Sequence, residues 1–154
     1  VVKLHIEVEG VDKVIAAAKK KGKDARAALL PGLEAGAELI KAAAAANAPR
    51  RSGALSESMI HEVITKESTK DSIVMGVGPH RRVWYARFVE YGTSAHDVAP
   101  VKADALVVAA NTYRDQASHP GTVANPFLRP ALDENEEAAQ KAIAKVMKAA
   151  LELD

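Results

Sequence analysis

The sequence predicts an α+β fold: a small antiparallel sheet with long helices packed on one face, closed by a C-terminal helix. Three observations carry this. Stretches of alternating apolar and polar residues cluster together instead of taking turns with helices, which argues against a parallel α/β sheet. Two long stretches place apolar residues at helical spacing. Hydrophobic residues make up 48% of the chain but aromatics only 4%, and alanine about a fifth, so helix propensity and close packing of small faces replace bulk. The 154 residues suit one domain, residues 1–154, with a loop insertion at about 94–125.

In chain order, Val2, Leu4, Ile6 and Val8 alternate with polar residues as a half-buried strand does, and Gly10 ends it. Val11, Val14, Ile15 and Ala18 then take helical spacing, and the lysine-rich stretch Lys19–Asp24 reads as a solvated break. A longer helix follows, with Leu29, Leu33, Ala37, Ile40 and Ala44 as its buried stripe. Pro31 lacks an N–H and crowds the preceding turn, so a kink or fresh start is expected there. Asn47-Ala48-Pro49 ends the helix, and residues 49–56 read as a connector.

Met59–Thr65 and Ser72–Val77 look like an antiparallel hairpin joined by the polar stretch Lys66–Asp71. Val83, Trp84, Arg87, Phe88 and Tyr91 give a short helix, with Gly92 placed for a left-handed cap at positive φ. Thr93–Pro100 reads as irregular, Ala105–Ala110 as a buried strand, and Asn111–Asn125 as rich in turn formers. The last helix is expected from about Pro130 to Leu151. Its acidic residues, Asp133, Glu134, Glu136 and Glu137, come early and Lys141, Lys145 and Lys148 late, which suits the helix dipole. Its apolar stripe is Ala139, Ile143, Val146, Met147, Ala150 and Leu151.

Composition removes several function classes. With no cysteine there is no disulfide scaffold, thiol chemistry or cysteine-ligated metal. The longest purely apolar run, Ala105–Ala110, is far short of the ~20 residues of a membrane span. The first residues show no basic stretch leading into an apolar run, so no secretory leader is expected. A net charge of +1 gives no general field for nucleic acid or anionic lipid.

No enzyme signature emerges, and no cofactor is expected. No serine sits in a nucleophile elbow. Gly76-Val77-Gly78-Pro79 lacks the rest of a phosphate loop. His96, Asp97 and His119 would make a metal site or hydrolytic centre only if their two loops meet, and histidines in polar loops more commonly bond turns. Arg50-Arg51 and His80-Arg81-Arg82 are short basic clusters that could touch phosphates or form intersubunit ion pairs. A dedicated nucleic-acid module would also interleave exposed aromatics, and none is expected here.

Three ordered segments stand out: Ala48-Pro49-Arg50-Arg51-Ser52-Gly53-Ala54-Leu55, then Tyr85-Ala86-Arg87-Phe88-Val89-Glu90-Tyr91-Gly92-Thr93, then Asn125-Pro126-Phe127-Leu128-Arg129-Pro130-Ala131-Leu132. Together they resemble the tail-component or neck-protein family of long-tailed double-stranded DNA bacteriophages. The likeness runs over about residues 10–150, with a longer stretch between Thr93 and Pro126 than in the shortest members.

The resemblance implies a structural virion protein at the head–tail junction, assembled in the host bacterial cytoplasm: a neck, tail-completion or tail-terminator subunit. Such subunits form rings around the DNA channel, with six copies favoured and twelve allowed, between head-closure or connector proteins and tail-tube proteins. DNA contact would be transient and non-specific, and no membrane is involved. A minor tail protein or assembly factor of the same family is the alternative, ahead of a small nucleic-acid-binding module.

The motif residues Trp84, Tyr85, Phe88, Glu90, Tyr91, Gly92, Thr93, Pro126, Phe127, Leu128, Arg129 and Pro130 then carry structure or interface. Their aromatics are either domain core or a subunit contact. Glu90 is expected to pair with an arginine such as Arg129 or Arg51. Phe127 and Leu128 would anchor the last helix, stiffened by Pro126 and Pro130. Arg50, Arg51, Arg81 and Arg82 would face the channel or a neighbouring subunit.

Overall fold

The computed structural model describes residues 11–20, 25–69, 72–100, 106–109 and 112–151, so the expected strand over Val2–Val8 and the break after Lys20 lie outside the described residues. Two long helices, α2 (Ala25–Asn47) and α5 (Leu128–Leu151), form the body of the molecule. Helix α1 (Val11–Lys20) lies against both. The hairpin β1 (Met59–Val63) and β2 (Met75–Pro79) is antiparallel, with Met59 opposite Pro79 and Val63 opposite Met75. It packs on α2 through Val77 and Met75, which meet Ala37, Ile40 and Ala139. This is the predicted α+β arrangement.

The α2–α5 seam explains the alanine content. Leu29, Ala37, Ile40 and Ala44 are buried on α2, with Ala48 just past its end, and Leu128, Ala131, Ala139, Ile143 and Met147 on α5. Leu33 and Val146 are half-buried, while Ala150 is exposed and drops out of the predicted stripe. Two glycines one helical turn apart leave no room for a side chain in the seam. A Cβ on Gly32 would lie 2.7 Å from Met147 Cγ, and one on Gly36 2.7 Å from Ile143 Cδ1 and 3.2 Å from the Ala139 carbonyl oxygen. Pro31 does not start a new helix: α2 runs through it, and the ring sits exposed, away from the seam.

Gly36→Ala therefore sets two effects against each other. Alanine gains about 1 kcal/mol of helix propensity, but overpacking a filled seam costs about 1–3 kcal/mol. We expect a net loss of about 1–2 kcal/mol, read from the urea midpoint at unchanged slope.

The connector contains a short helix, α3 (Ala54–Glu57), that the sequence did not suggest. Gly53 precedes it at φ 78, and Leu55 is its buried anchor. The Ser56 hydroxyl ties it to α2 by donating to the Ala45 carbonyl at 2.7 Å.

The region from Thr93 to Asn125 is more ordered than expected. Strand β3 (His96–Val98) pairs antiparallel with β6 (Ala117–His119), and β4 (Leu106–Ala109) with β5 (Thr112–Arg114). The strand at 106–109 is as predicted, but it is not buried at Val107, which is 69% exposed. Strands β3 and β6 and the turn residues beside them, Gly92–Ala99 and Ala117–Asn125, contribute no buried residue to the hydrophobic core, so this ribbon forms an arm outside it. The arm is closed at its base by the Thr93–Thr122 bridge, with N–H···O distances of 2.9 and 3.0 Å and the two hydroxyls 3.0 Å apart.

No helix among the described residues is long and apolar enough to cross a membrane. On the outer side of α5, Lys141 pairs with Glu137 one turn away and holds its carboxyl below the usual carboxylate range. A depressed folded value means that the pair contributes at neutral pH and is lost as pH falls through the Glu137 titration. The pair is solvent-exposed, so its contribution is small.

Candidate functional site

The three sequence motifs converge on one joint. Ala48 and Leu55 from the first, Ala86 and Val89 from the second, and Phe127, Leu128 and Ala131 from the third pack in a single cluster with Ala44 and Met59. Phe127 and Leu128 anchor the start of α5, as expected, and are fully enclosed. The Asn125 N–H donates to the Val89 carbonyl at 2.8 Å, holding the approach to α5 against helix α4 (Ala86–Tyr91).

Glu90 is the key to the joint. It is only 4% exposed, and its contacts are with backbone rather than with a guanidinium. Oε2 accepts from the N–H groups of Phe127 and Leu128 at 2.8 and 2.9 Å, and Oε1 from the N–H of Arg129 at 3.0 Å. The expected arginine pair is thus replaced by a cap. A helix start leaves its first N–H groups without partners and carries partial positive charge, and a carboxylate satisfies both needs. The cap comes from 37 to 39 residues upstream. It lets α5 begin at Leu128, before the Pro130 start predicted from sequence, and leaves Pro130 within the first turn.

Helix α4 therefore decides between core and surface for its aromatics by turning Ala86 and Glu90 inward. Ala86 and Glu90, one turn apart, are buried, whereas Trp84 is 69% and Tyr91 59% exposed. Tyr85 and Arg87 are also exposed and Phe88 is half-buried. Core burial is thus excluded for Trp84, Tyr85 and Tyr91. The reason is steric and electrostatic: alanine permits close approach, and the carboxylate finds three donors there.

The outward aromatics are ordered against each other. The Trp84 ring meets Tyr85 and Phe88 edge-on, with centroids 6.2 and 5.8 Å away, and the Arg87 guanidinium lies 4.6 Å from the centre of the Phe88 ring. Arg81 and Arg82 are exposed just before this cluster, and Arg50 and Arg51 are exposed in the connector. Aromatics and arginines are thus interleaved at the surface, contrary to the expectation from sequence.

Gly92 ends α4 at φ 69 and ψ −172. The positive φ is as predicted, but ψ lies far from a left-handed cap, in a region that is essentially glycine's alone. Thr93 belongs to the arm's bridge, and Arg129 is exposed beyond the cap.

The two histidine loops do meet. His96 lies opposite His119 in the ribbon, with ring centres 5.1 Å apart, but neighbouring Asp97 points to the other face. His96 Nδ1 donates to the Ser94 carbonyl at 3.0 Å, while His119 Nδ1 accepts from the Gly121 N–H at 3.0 Å. In the neutral rings these bonds leave the proton on His119 Nε2, so the pair is not preset as two ligands. Among the described residues no group of three His, Asp or Glu is placed to hold a metal ion.

What the motifs build is a structural joint carrying an exposed aromatic–arginine face. Residues 12–92 match the family model described as "Bacteriophage HK97-gp10, putative tail-component". The chain belongs to this family of phage tail components. No curated protein and no solved structure matches it.

Proposed function

We propose that this chain is a structural subunit of the phage head–tail junction, a neck, tail-completion or tail-terminator component that closes with copies of itself into a ring around the DNA channel. Six subunits are favoured, with twelve as the alternative, between head-closure or connector proteins and tail-tube proteins. Its work is mechanical, without catalysis or cofactor, and its place is the virion, assembled in the bacterial cytoplasm.

The observation that carries the reading is the face formed by Trp84, Tyr85, Arg87 and Tyr91, exposed on helix α4 and the turn that enters it, which Glu90 locks to the core. Trp, Tyr and Arg are the residues most enriched where binding energy concentrates in protein contacts. The near-zero net charge suits a conduit through which DNA must slide, and Arg50, Arg51, Arg81 and Arg82 would touch phosphates only in passing.

Trp84→Ala separates interface from fold. An exposed substitution should change unfolding free energy by no more than about 0.5 kcal/mol. Loss of a central aromatic should weaken self-association by about 30-fold, measured by sedimentation equilibrium. Electron microscopy of particles with this chain localised tests the position. A ring at the junction supports the proposal. Absence from finished particles would make the chain an assembly factor, density elsewhere in the tail a minor tail protein, and strongly salt-dependent duplex binding by the isolated protein a nucleic-acid module.

A further inference from the structure

We infer that the basic aromatic surface of α4 and the turn before it docks on the acidic second and third turns of α5 in another copy of this chain, an inference that rests on the ring reading above. The basic side is Arg81, Arg82 and Arg87 around Trp84 and Tyr91, all exposed. Glu90, the acid in its midst, is turned inward and committed to the start of α5. The surface therefore presents three cations and exposed aromatic rings, with Glu62 in the cleft beside Arg81 as the neighbouring acid.

The acidic side is Asp133, Glu134 and Glu136, exposed on α5. Among the described residues neither the three arginines nor these three acids have an ion-pair partner within the chain. Glu136 accepts only from its neighbour Gln140, at 3.3 Å. Three unpaired cations beside exposed aromatics thus have a counterpart in three unpaired anions on the same molecule.

The geometry between the two patches is fixed. Glu90 joins the end of α4 to the start of α5, so every copy presents both patches at one constant angle. A contact between two different patches, repeated at a constant angle, generates a ring where the rotation closes and an open filament where it does not, in either case not a two-fold dimer. The aromatic rings would supply the buried contact, and the opposed charges would set orientation and exclude wrong pairings.

The test is a charge exchange in two separately purified full-length variants. R81E/R82E/R87E has two acidic patches and D133K/E134K/E136K two basic ones. Each alone should self-associate about 100-fold or more weakly than wild type, since every contact then opposes like charges. An equimolar mixture should recover assemblies, with the variants alternating and subunit numbers even. Sedimentation equilibrium and native mass spectrometry give both readouts.

Lysines early in α5 oppose its dipole, so D133N/E134Q/E136Q serves as a second variant if the lysine form fails to fold. It should be folded by circular dichroism and associate about 10-fold more weakly than wild type. If wild type assembles and the charge variants assemble equally well alone, the pairing is overturned while the ring reading stands. The same follows if both folded variants fail to assemble when mixed. If wild type stays monomeric to about 1 mM, with no intersubunit cross-links, the ring reading fails and the pairing with it.

Discussion

Glu90→Ala is expected to lower the unfolding free energy by about 3–4 kcal/mol. The carboxylate accepts three backbone N–H bonds at 2.8–3.0 Å, two of them buried. Hydrogen bonds to a charged acceptor contribute about 1.5–3 kcal/mol each, and a buried donor left without a partner costs about 1–3 kcal/mol. Loss of an ordinary N-cap costs about 0.5–2 kcal/mol, so the estimate lies above that range but below the plain sum, because water can reach the half-buried Arg129 N–H. In a chain of this length the change corresponds to a melting temperature lower by about 10 °C. Glu90→Gln keeps the shape and one acceptor oxygen but turns an amide N–H₂ toward a backbone donor, and loses the charge that complements the helix dipole. It should fall between wild type and alanine, with a loss of about 1–2 kcal/mol. Urea unfolding of the three proteins gives the order directly, and an alanine variant within 1 kcal/mol of wild type would remove the cap from its central place in the joint.

What the sequence made legible, and what it hid, divides along local and non-local causes. The stripes Leu29–Ala44 and Ala139–Met147 follow the helical period, and each buries against the other as the period requires. The hairpin follows from alternation around a polar turn, although its second strand is Met75–Pro79 and not Ser72–Val77. Gly32 and Gly36 were hidden because a glycine in a helix reads as a weakness until the facing helix is known, here at Met147 and Ile143. Strands β3 and β6 were hidden because each is three residues long and its partner is some twenty residues away.

The orientation of α4 is the most instructive of these. The sequence leaves Trp84, Phe88 and Tyr91 as either domain core or subunit contact, although large apolar residues usually gain most from burial. Helix α4 is six residues long, and its two buried residues are one alanine and one carboxylate, with Val89 half-buried beside them. No local pattern distinguishes a glutamate that caps a helix start far along the chain from one that is merely solvated. The available signal was indirect: an acid amid aromatics, together with a later Pro-Phe-Leu-Arg-Pro segment whose start has no Ser, Thr, Asp or Asn immediately before Phe127 to cap it. A buried helix start without a local cap must find its acceptors elsewhere in the chain. That rule, applied to Leu128, leads back to Glu90 and turns the aromatics outward.

Gly92→Ala is expected to cost about 3–4 kcal/mol, comparable to loss of the cap and reaching the same joint by another route. At φ 69 and ψ −172 an L side chain is strained by about 1–3 kcal/mol before any contact is considered. The new Cβ would then lie 2.4 Å from the Thr122 carbonyl oxygen and 2.8 Å from the Ala124 nitrogen, both backbone atoms that a rotamer change cannot move. Relief requires shifting residues 122–124, which lead into the Asn125 bond to Val89 and the N–H groups of Phe127 and Leu128 that Glu90 holds. Gly121→Ala is the informative comparison. Its φ is 89 and its Cβ would lie 2.3 Å from the Thr93 carbonyl oxygen, so the local clash is as severe. Yet Gly121 belongs to the arm, which can part at the Thr93–Thr122 bridge without disturbing the core, and a loss of about 1–2 kcal/mol is expected. Urea unfolding followed by circular dichroism, with amide exchange at Phe127 and Leu128, separates the two. Loss of protection at those amides should accompany Gly92→Ala and be absent from Gly121→Ala. Equal losses of stability, with both amides protected in both variants, would mean that the arm's base and the α5 cap are not mechanically joined.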